Sequence, residues 1–166
     1  MSLWFEQHRK LIVSYPSLSF ISIMEGLCGE AEEVVSEIED FDSINPQKLG
    51  KELADVVVYL FLYFDYYNIK ADEIQIPDEI SPEFLTMKGP SHYRLMRYCC
   101  KLAEMEKKWG RKSGTRIEFI SLGRNLWIKI IELCKLLAHN HQIDLDTVIQ
   151  SVIQDNDRRY TAGEFG

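Results

Sequence analysis

Two stretches decide how this chain is read: Gly26-Leu27-Cys28-Gly29-Glu30-Ala31-Glu32-Glu33 and Lys51-Glu52-Leu53-Ala54-Asp55. Each carries acids at i and i+3, which an α-helix stacks on one face. Around the first, Ile23, Leu27, Ala31, Val34 and Ile38 form an apolar stripe; around the second, Leu49, Leu53, Val56, Val57 and Leu60 do the same. At roughly 100° per residue, with Leu27 at zero, Glu30 lies near −60° and Glu33 near −120°. With Leu49 at zero, Glu52 lies near −60° and Asp55 near −120°. The acids therefore sit on the same edge of both stripes.

The segment Asp42-Ser43-Ile44-Asn45-Pro46 reads as a turn, with Pro46 suited to the first turn of the following helix. A turn makes the two helices antiparallel. Reversing one helix reverses its sense of rotation, so equal offsets land on the same side of the pair. Glu33 is ten residues before position 43 and Glu52 nine after it, so the heights agree as well. Four carboxylates are expected to converge at one edge of a helical hairpin. Converging carboxylates repel one another unless a cation neutralises them. Oxygen-only ligands on rigid helices suit Mg²⁺ or Mn²⁺ rather than zinc. The competing reading of each acidic pair alone is a solvated helix face; the matching of two pairs favours a metal site.

Outward from this hairpin, spacings of three and four dominate and clean alternation is rare, which predicts an all-α chain. Helices are expected near 3–14, 18–40, 46–67, 91–109, 115–140 and 144–160. Tyr15-Pro16-Ser17 breaks the first, Ser17 or Ser19 caps the second, and Asp144 caps the last. Residues 76–90, with Pro77, Pro82, Gly89 and Pro90, read as a connector holding one short helix. Gly110 and Gly114 punctuate the stretch before 115, and the tail from Thr161 is expected to be loose.

The 166 residues are 46 % apolar and 27 % charged, which fits one globular domain and excludes intrinsic disorder. The formal charge of −7 argues against stable nucleic-acid binding. That figure conceals a split: residues 1–90 hold 17 acids and 6 bases, net −11, whereas 91–166 hold 9 acids and 13 bases, net +4. The longest apolar run, Val56 to Phe64, falls far short of the roughly 20 residues of a membrane span. No secretory signal is visible at the start, and a cytoplasmic location is expected. Cys28, Cys99, Cys100 and Cys134 form no C-x-x-C pair, so they read as reduced, mostly buried thiols rather than a zinc or redox motif. His139 and His141, two apart, do not share a helical face and read as surface residues. The tyrosines at 59, 63, 66 and 67 read as packing. Trp4, Phe5 and His8 fit either a base pocket or the edge of the core.

The pattern Gly26-Leu27-x-Gly29-Glu30-Ala31-x-Glu33 followed by Glu52-Leu53-x-Asp55 resembles the MazG-like all-α nucleoside triphosphate pyrophosphohydrolases. Their signature is E-x-x-E, a spacer containing a turn, then E-x-x-D, and the spacer 34–51 has a length typical of that family. Relatives include dimeric dUTPases, dCTP pyrophosphatases and phosphoribosyl-ATP pyrophosphatases. The resemblance implies Mg²⁺ held by Glu30, Glu33, Glu52 and Asp55. It also implies water attack on a nucleotide phosphate, giving a nucleoside monophosphate and pyrophosphate in a nucleotide-pool housecleaning role. Metal ions bridge phosphate oxygens and lower the pKa of the attacking water, and Glu33 is a candidate to accept that water's proton. Two departures stand out. Glu32 occupies a position where many relatives have glycine. The lysine, asparagine and arginine that the family's last helix often offers to phosphates do not follow Asp55 directly. Arg158-Arg159-Tyr160-x-x-Gly163 resembles the arginine–tyrosine end of some relatives, with Asp155 near the expected lysine.

Leu49-Gly50-Lys51-Glu52-Leu53 echoes Leu122-Gly123-Arg124-Asn125-Leu126 at an offset of 73. There Glu33 maps to Glu106, but Glu30, Glu52 and Asp55 map to Ala103, Asn125 and Ile128. A second register pairs Glu52 with Ser121 and Asp55 with Arg124, and in either the acids are lost. The expectation is a single domain over 1–166 built by duplication: a metal-binding repeat at 1–75, the connector at 76–90 and a degenerate repeat at 91–160. A fused pair of this kind is compatible with a monomer or a homodimer. The competing view is that any two amphipathic helices share such short matches. Lys107, Lys108, Trp109, Arg111 and Lys112, with Lys101, Arg116 and Arg124 nearby, are candidates to clamp phosphates and stack on a base, alongside Arg158 and Arg159. A solvated helix end is the plain alternative. The nucleoside triphosphate pyrophosphohydrolase has two rivals. One is a catalytically weak nucleotide-binding module or pseudoenzyme. The other is a di-metal carboxylate oxidase, disfavoured because no His follows Glu30 or Glu52 by three.

Overall fold

The computed structural model describes residues 5–6, 8–10, 18–39, 43–76, 78–109 and 116–163. Among them there is no strand, as the periodicity requires. Residues 5–6 and 8–10 are helical, and seven helices follow: α1 Phe20–Glu39, α2 Pro46–Tyr66, α3 Ala71–Ile74, α4 Pro82–Leu85, α5 Ser91–Trp109, α6 Arg116–Asn140 and α7 Leu145–Thr161.

Local chemistry sets the ends of these helices. Ser19 caps α1, its Oγ accepting from the Ser22 N–H at 3.2 Å. Asn45 caps α2 by accepting from the Gln47 and Lys48 N–H groups, with Pro46 immediately inside the helix. Asp144 caps α7 by accepting from the Thr147 N–H at 3.2 Å. Each cap satisfies helix N–H groups that lack an intrahelical partner. The break at Tyr15-Pro16-Ser17, and Gly110 and Gly114, lie outside the described residues.

α2 is the central helix, packed by α1, α6 and α7. Its Leu49, Leu53, Val56, Val57 and Leu60 are fully buried, as are Leu27, Ala31 and Val34 of α1. The two stripes thus meet as the wheels require. Lys48 of α2 reaches Glu37 of α1 at 3.9 Å, which fixes the antiparallel register: residue pairs whose numbers sum to about 85 share a height. Phe5 and His8 resolve to the core, Phe5 packing on Phe61 and Phe64 at 5.6 and 5.8 Å between ring centres. Burial pushes the His8 imidazole down to about 4, so it stays neutral. Trp4 lies outside the described residues.

The connector contains α4, as expected, and follows the four-residue α3. The backbones of α3 and of the connector are tied to α6 by side chains. Arg124 donates to the Glu73 carbonyl, Trp127 to the Ile74 carbonyl and Lys135 to the Asp78 carbonyl, while Glu132 accepts from the Ser81 N–H. The pairs α1–α2 and α5–α6 each pack together. At an offset of 73, however, buried Leu49 corresponds to Leu122, which is 55 % exposed. No described helix is long and apolar enough to cross a membrane.

Candidate metal centre

The antiparallel register places Glu33 opposite Glu52 and Glu30 opposite Asp55. One carboxylate oxygen from each of Glu30, Glu33 and Glu52 lies within 4.8 Å of the others. Asp55 sits one turn along, where its Oδ2 accepts from the Lys51 ammonium at 2.7 Å. Lys51 also lies 3.4 Å from Glu52. All four predicted carboxylates are therefore on one edge, three of them gathered and the fourth joined to them through Lys51.

The electrostatics are those of a crowded acidic site. Two unit charges 4.8 Å apart at an effective dielectric of about 20 repel by about 3 kcal/mol before solvent screening. Glu30 is pushed up to about 7 by burial first, then by the charges of Asp55, Glu33 and Glu52, against the pull of Lys51. Glu52, almost wholly buried, is held above the usual carboxylate range by desolvation. Lys51 opposes that shift, while Glu33 and Asp55 add to it. Asp55 is raised by burial against its bond to Lys51. Burial works against the charge on Lys51, but the hydrogen bond and attraction of Asp55, together with Glu52, outweigh it and hold the ammonium firmly protonated.

The donor set fits a hard divalent cation. Mg²⁺ places oxygen ligands at about 2.1 Å, hence at most about 4.2 Å apart across the ion. Oxygens within 4.8 Å reach that span by side-chain adjustments of a few tenths of an ångström. The raised proton affinity of Glu30, Glu52 and Asp55 comes first from burial, with repulsion among the acids adding to it.

Two residues of this edge were not anticipated as part of it. Lys51 stands four residues before Asp55, and the i,i+4 rule makes such a pair legible. Tyr59 fills the space above Gly26, where a Cβ would lie 2.1 Å from its ring. Burial, then the charges of Glu30 and Asp55, raise its phenol. A side chain at Gly26 would displace the end of Tyr59, whereas a Cβ on Gly29 would meet nothing within 4 Å.

α7 runs alongside α2 in the same direction, with Val148 against Gly50 and Tyr160 near Tyr59. Between them lies a cleft of about 380 Å³ lined by Gln47, Lys51 and Asp55 on one side and Ser151, Asp155, Asn156 and Arg159 on the other. Arg159 therefore borders the acidic edge. Arg158 is turned to Asp155 at 2.7 Å and is largely exposed. Lys107 and Lys108 lie elsewhere. α5 is antiparallel to α1, because His92 meets Glu39 and Cys100 meets Cys28. Lys107 is seven residues beyond Cys100, roughly 10 Å further along, on the side away from Glu30. Lys108 pairs with Glu104 of its own helix at 2.6 Å. Arg111, Lys112 and the Trp109 side chain lie outside the described residues. A cavity of about 630 Å³ lies apart from these four carboxylates, between the connector and the α6–α7 turn. Glu106, the offset-73 counterpart of Glu33, is buried and accepts hydrogen bonds from Tyr63 and Tyr67 at 2.6 and 2.7 Å. No family model, curated protein or solved structure matches the chain.

Proposed function

We propose that this chain is a Mg²⁺-dependent nucleoside triphosphate pyrophosphohydrolase of the MazG-like all-α kind, cleaving a nucleoside or deoxynucleoside triphosphate to the monophosphate and pyrophosphate. The observation that carries the reading is the gathering of Glu30, Glu33 and Glu52 oxygens within 4.8 Å, with Asp55 one turn away. Glu30, Glu33, Glu52 and Asp55 would hold the ion. When bound, Mg²⁺ (or Mn²⁺) supplies charge neutralisation for phosphate oxygens and lowers the pKa of a coordinated water. Glu33 is the exposed member of the cluster and the one best placed to take a proton from attacking water. Lys51 fixes the rotamers of Asp55 and Glu52. Arg159 faces the same cleft and offers a planar donor fork to a phosphate. A duplicated hairpin with a degenerate second half belongs to the same proposal.

One observation favours a second reading, a weakly catalytic nucleotide-binding module: Lys51 already supplies a fixed cation to two of the four carboxylates. Incubation with a panel of ribo- and deoxyribonucleoside triphosphates and Mg²⁺ separates the two. The enzyme reading expects monophosphate plus pyrophosphate, lost in Glu52→Gln. It further expects a raised KM in Arg159→Met and little change in Lys108→Met. Nucleotide binding without turnover on any substrate selects the module; neither binding nor turnover rejects both.

A further inference from the structure

One cluster of cations in the basic half faces an aromatic ring instead of an acid. Arg97 and Lys101, four residues apart, share a face of α5 and are exposed. Tyr98 beside them is half-buried against the core. Its ring draws ammoniums from two helices: Lys101 Nζ lies 5.6 Å from the ring centre, and Nζ of Lys129, on α6, lies 5.5 Å from it. A π face attracts a cation but carries no net charge, so both ammoniums stay uncompensated.

The nearest acids along the two helices are engaged elsewhere. Glu104, one turn beyond Lys101, holds Lys108 at 2.6 Å. Glu132, three residues after Lys129, is buried and accepts from the Ser81 N–H at 2.9 Å. Among the described residues no carboxylate pairs with Arg97, Lys101 or Lys129, and the Tyr98 hydroxyl makes no hydrogen bond.

We propose that Tyr98, Lys101 and Lys129 form a binding site for a phosphate dianion carried by a small soluble molecule, with Arg97 at its rim. Two ammoniums beside one ring supply two positive charges and several N–H donors, and the phenol adds an O–H. A carboxylate would neutralise one of the pair; a phosphate monoester, with roughly two negative charges above neutral pH, neutralises both. Lysine meets phosphate as a point charge without a fixed planar geometry, so two long side chains can close on tetrahedral oxygens. The site stands on α5 and α6, which carry none of Glu30, Glu33, Glu52 and Asp55. It therefore needs no metal ion and is independent of the proposed hydrolysis.

The full chain, carbon-13 labelled in lysine and tyrosine, is titrated with inorganic phosphate at pH 8 and followed by NMR. Chelator replaces Mg²⁺, and sodium chloride holds the ionic strength constant. The proposal expects saturable shifts of the Lys101, Lys129 and Tyr98 side chains. Lys101→Met and Lys129→Met should each weaken binding about tenfold, as for loss of a hydrogen bond between charged groups, and Tyr98→Phe about threefold. Lys129→Arg should retain binding, and Lys108→Met, whose ammonium is held by Glu104, should change it by less than about twofold. Circular dichroism reports whether each variant is folded; should Lys129→Met fail to fold, Lys101→Met reads the same pair. Shifts that chloride alone reproduces, unchanged affinity in the folded Met variants, or shifts centred on Lys51 and Arg159 overturn the proposal. Capture by phosphatidic acid vesicles without a response to free phosphate overturns it as well and assigns this face to a membrane surface.

Discussion

Under the proposed function, magnesium affinity should fall about tenfold between pH 8 and pH 6, because Glu30 would have to lose a proton to become a ligand. In the metal-free protein that carboxyl stands at about 7, raised from 4.5 by burial first and by the neighbouring acids second. A ligand group competing for one proton weakens the apparent affinity by 1 + 10^(pKa − pH), which is about 11 one unit below the pKa and about 1.1 one unit above it. Glu52 and Asp55, also raised, steepen the trend without changing its sign. Binding near pH 6 should release close to one proton per ion from Glu30, and near pH 8 about a tenth of one. Calorimetric titration with Mg²⁺ in two buffers of different ionisation enthalpy reads both quantities. Glu30→Gln should bind more weakly and lose most of the slope. The same shift fixes a stability trend. Folded Glu30 holds its proton more tightly than unfolded Glu30, so its contribution is fully present below about 4.5 and lost as pH rises through about 7. Mg²⁺ should restore that loss. An affinity constant within twofold over the window, with no proton released, would refute the account of a buried, mutually repelling site.

Two stability contrasts test the surrounding packing, both by urea denaturation. Gly26→Ala puts a Cβ 2.1 Å from the Tyr59 ring and should cost about 1–3 kcal/mol, whereas Gly29→Ala enters open space and should gain up to about 1 kcal/mol from helix propensity; equal effects would sink the steric argument. Tyr63→Phe removes a 2.6 Å hydrogen bond to buried Glu106 and should cost about 1–3 kcal/mol, more than Tyr67→Phe, whose hydroxyl is less buried.

The helices and the acidic edge were legible because both rest on local periodicity. α5 runs over Ser91–Trp109 as its spacing predicts, and Asn45, Pro46 and Asp144 act where turn chemistry puts them. The convergence of Glu30, Glu33 and Glu52 needed only wheel angles and one turn. What escaped the sequence depends on contacts between distant segments. Nothing local says that α7 lies parallel to α2, so the cleft holding Arg159 could not be derived from spacing. Nor does spacing turn Arg124 toward the Glu73 carbonyl of α3, or Lys135 toward the Asp78 carbonyl of the connector. Tyr59 and Tyr63, four apart on one helix, meet quite different partners, acids at one and Glu106 at the other.

The same contacts change what the split between −11 and +4 means. Several cations of the basic half are engaged at a distance from the acids. Arg124 and Lys135 hold backbone carbonyls, Lys101 and Lys129 flank the Tyr98 ring, and Lys108 pairs with Glu104. Lys51, from the acidic half itself, is bonded directly to the acidic edge. With all four carboxylates ionised, as above the Glu30 value of about 7, Lys51 brings their sum to −3, and Arg159 across the cleft adds one positive charge. A divalent ion held by these carboxylates would offset two of those charges. Under the proposed function, a triphosphate therefore reaches this edge only as a cation complex or after the cation. Burial first, and the neighbouring acids after it, raise the proton affinities of Glu30 and Glu52, so the proton competes with any other cation for this edge.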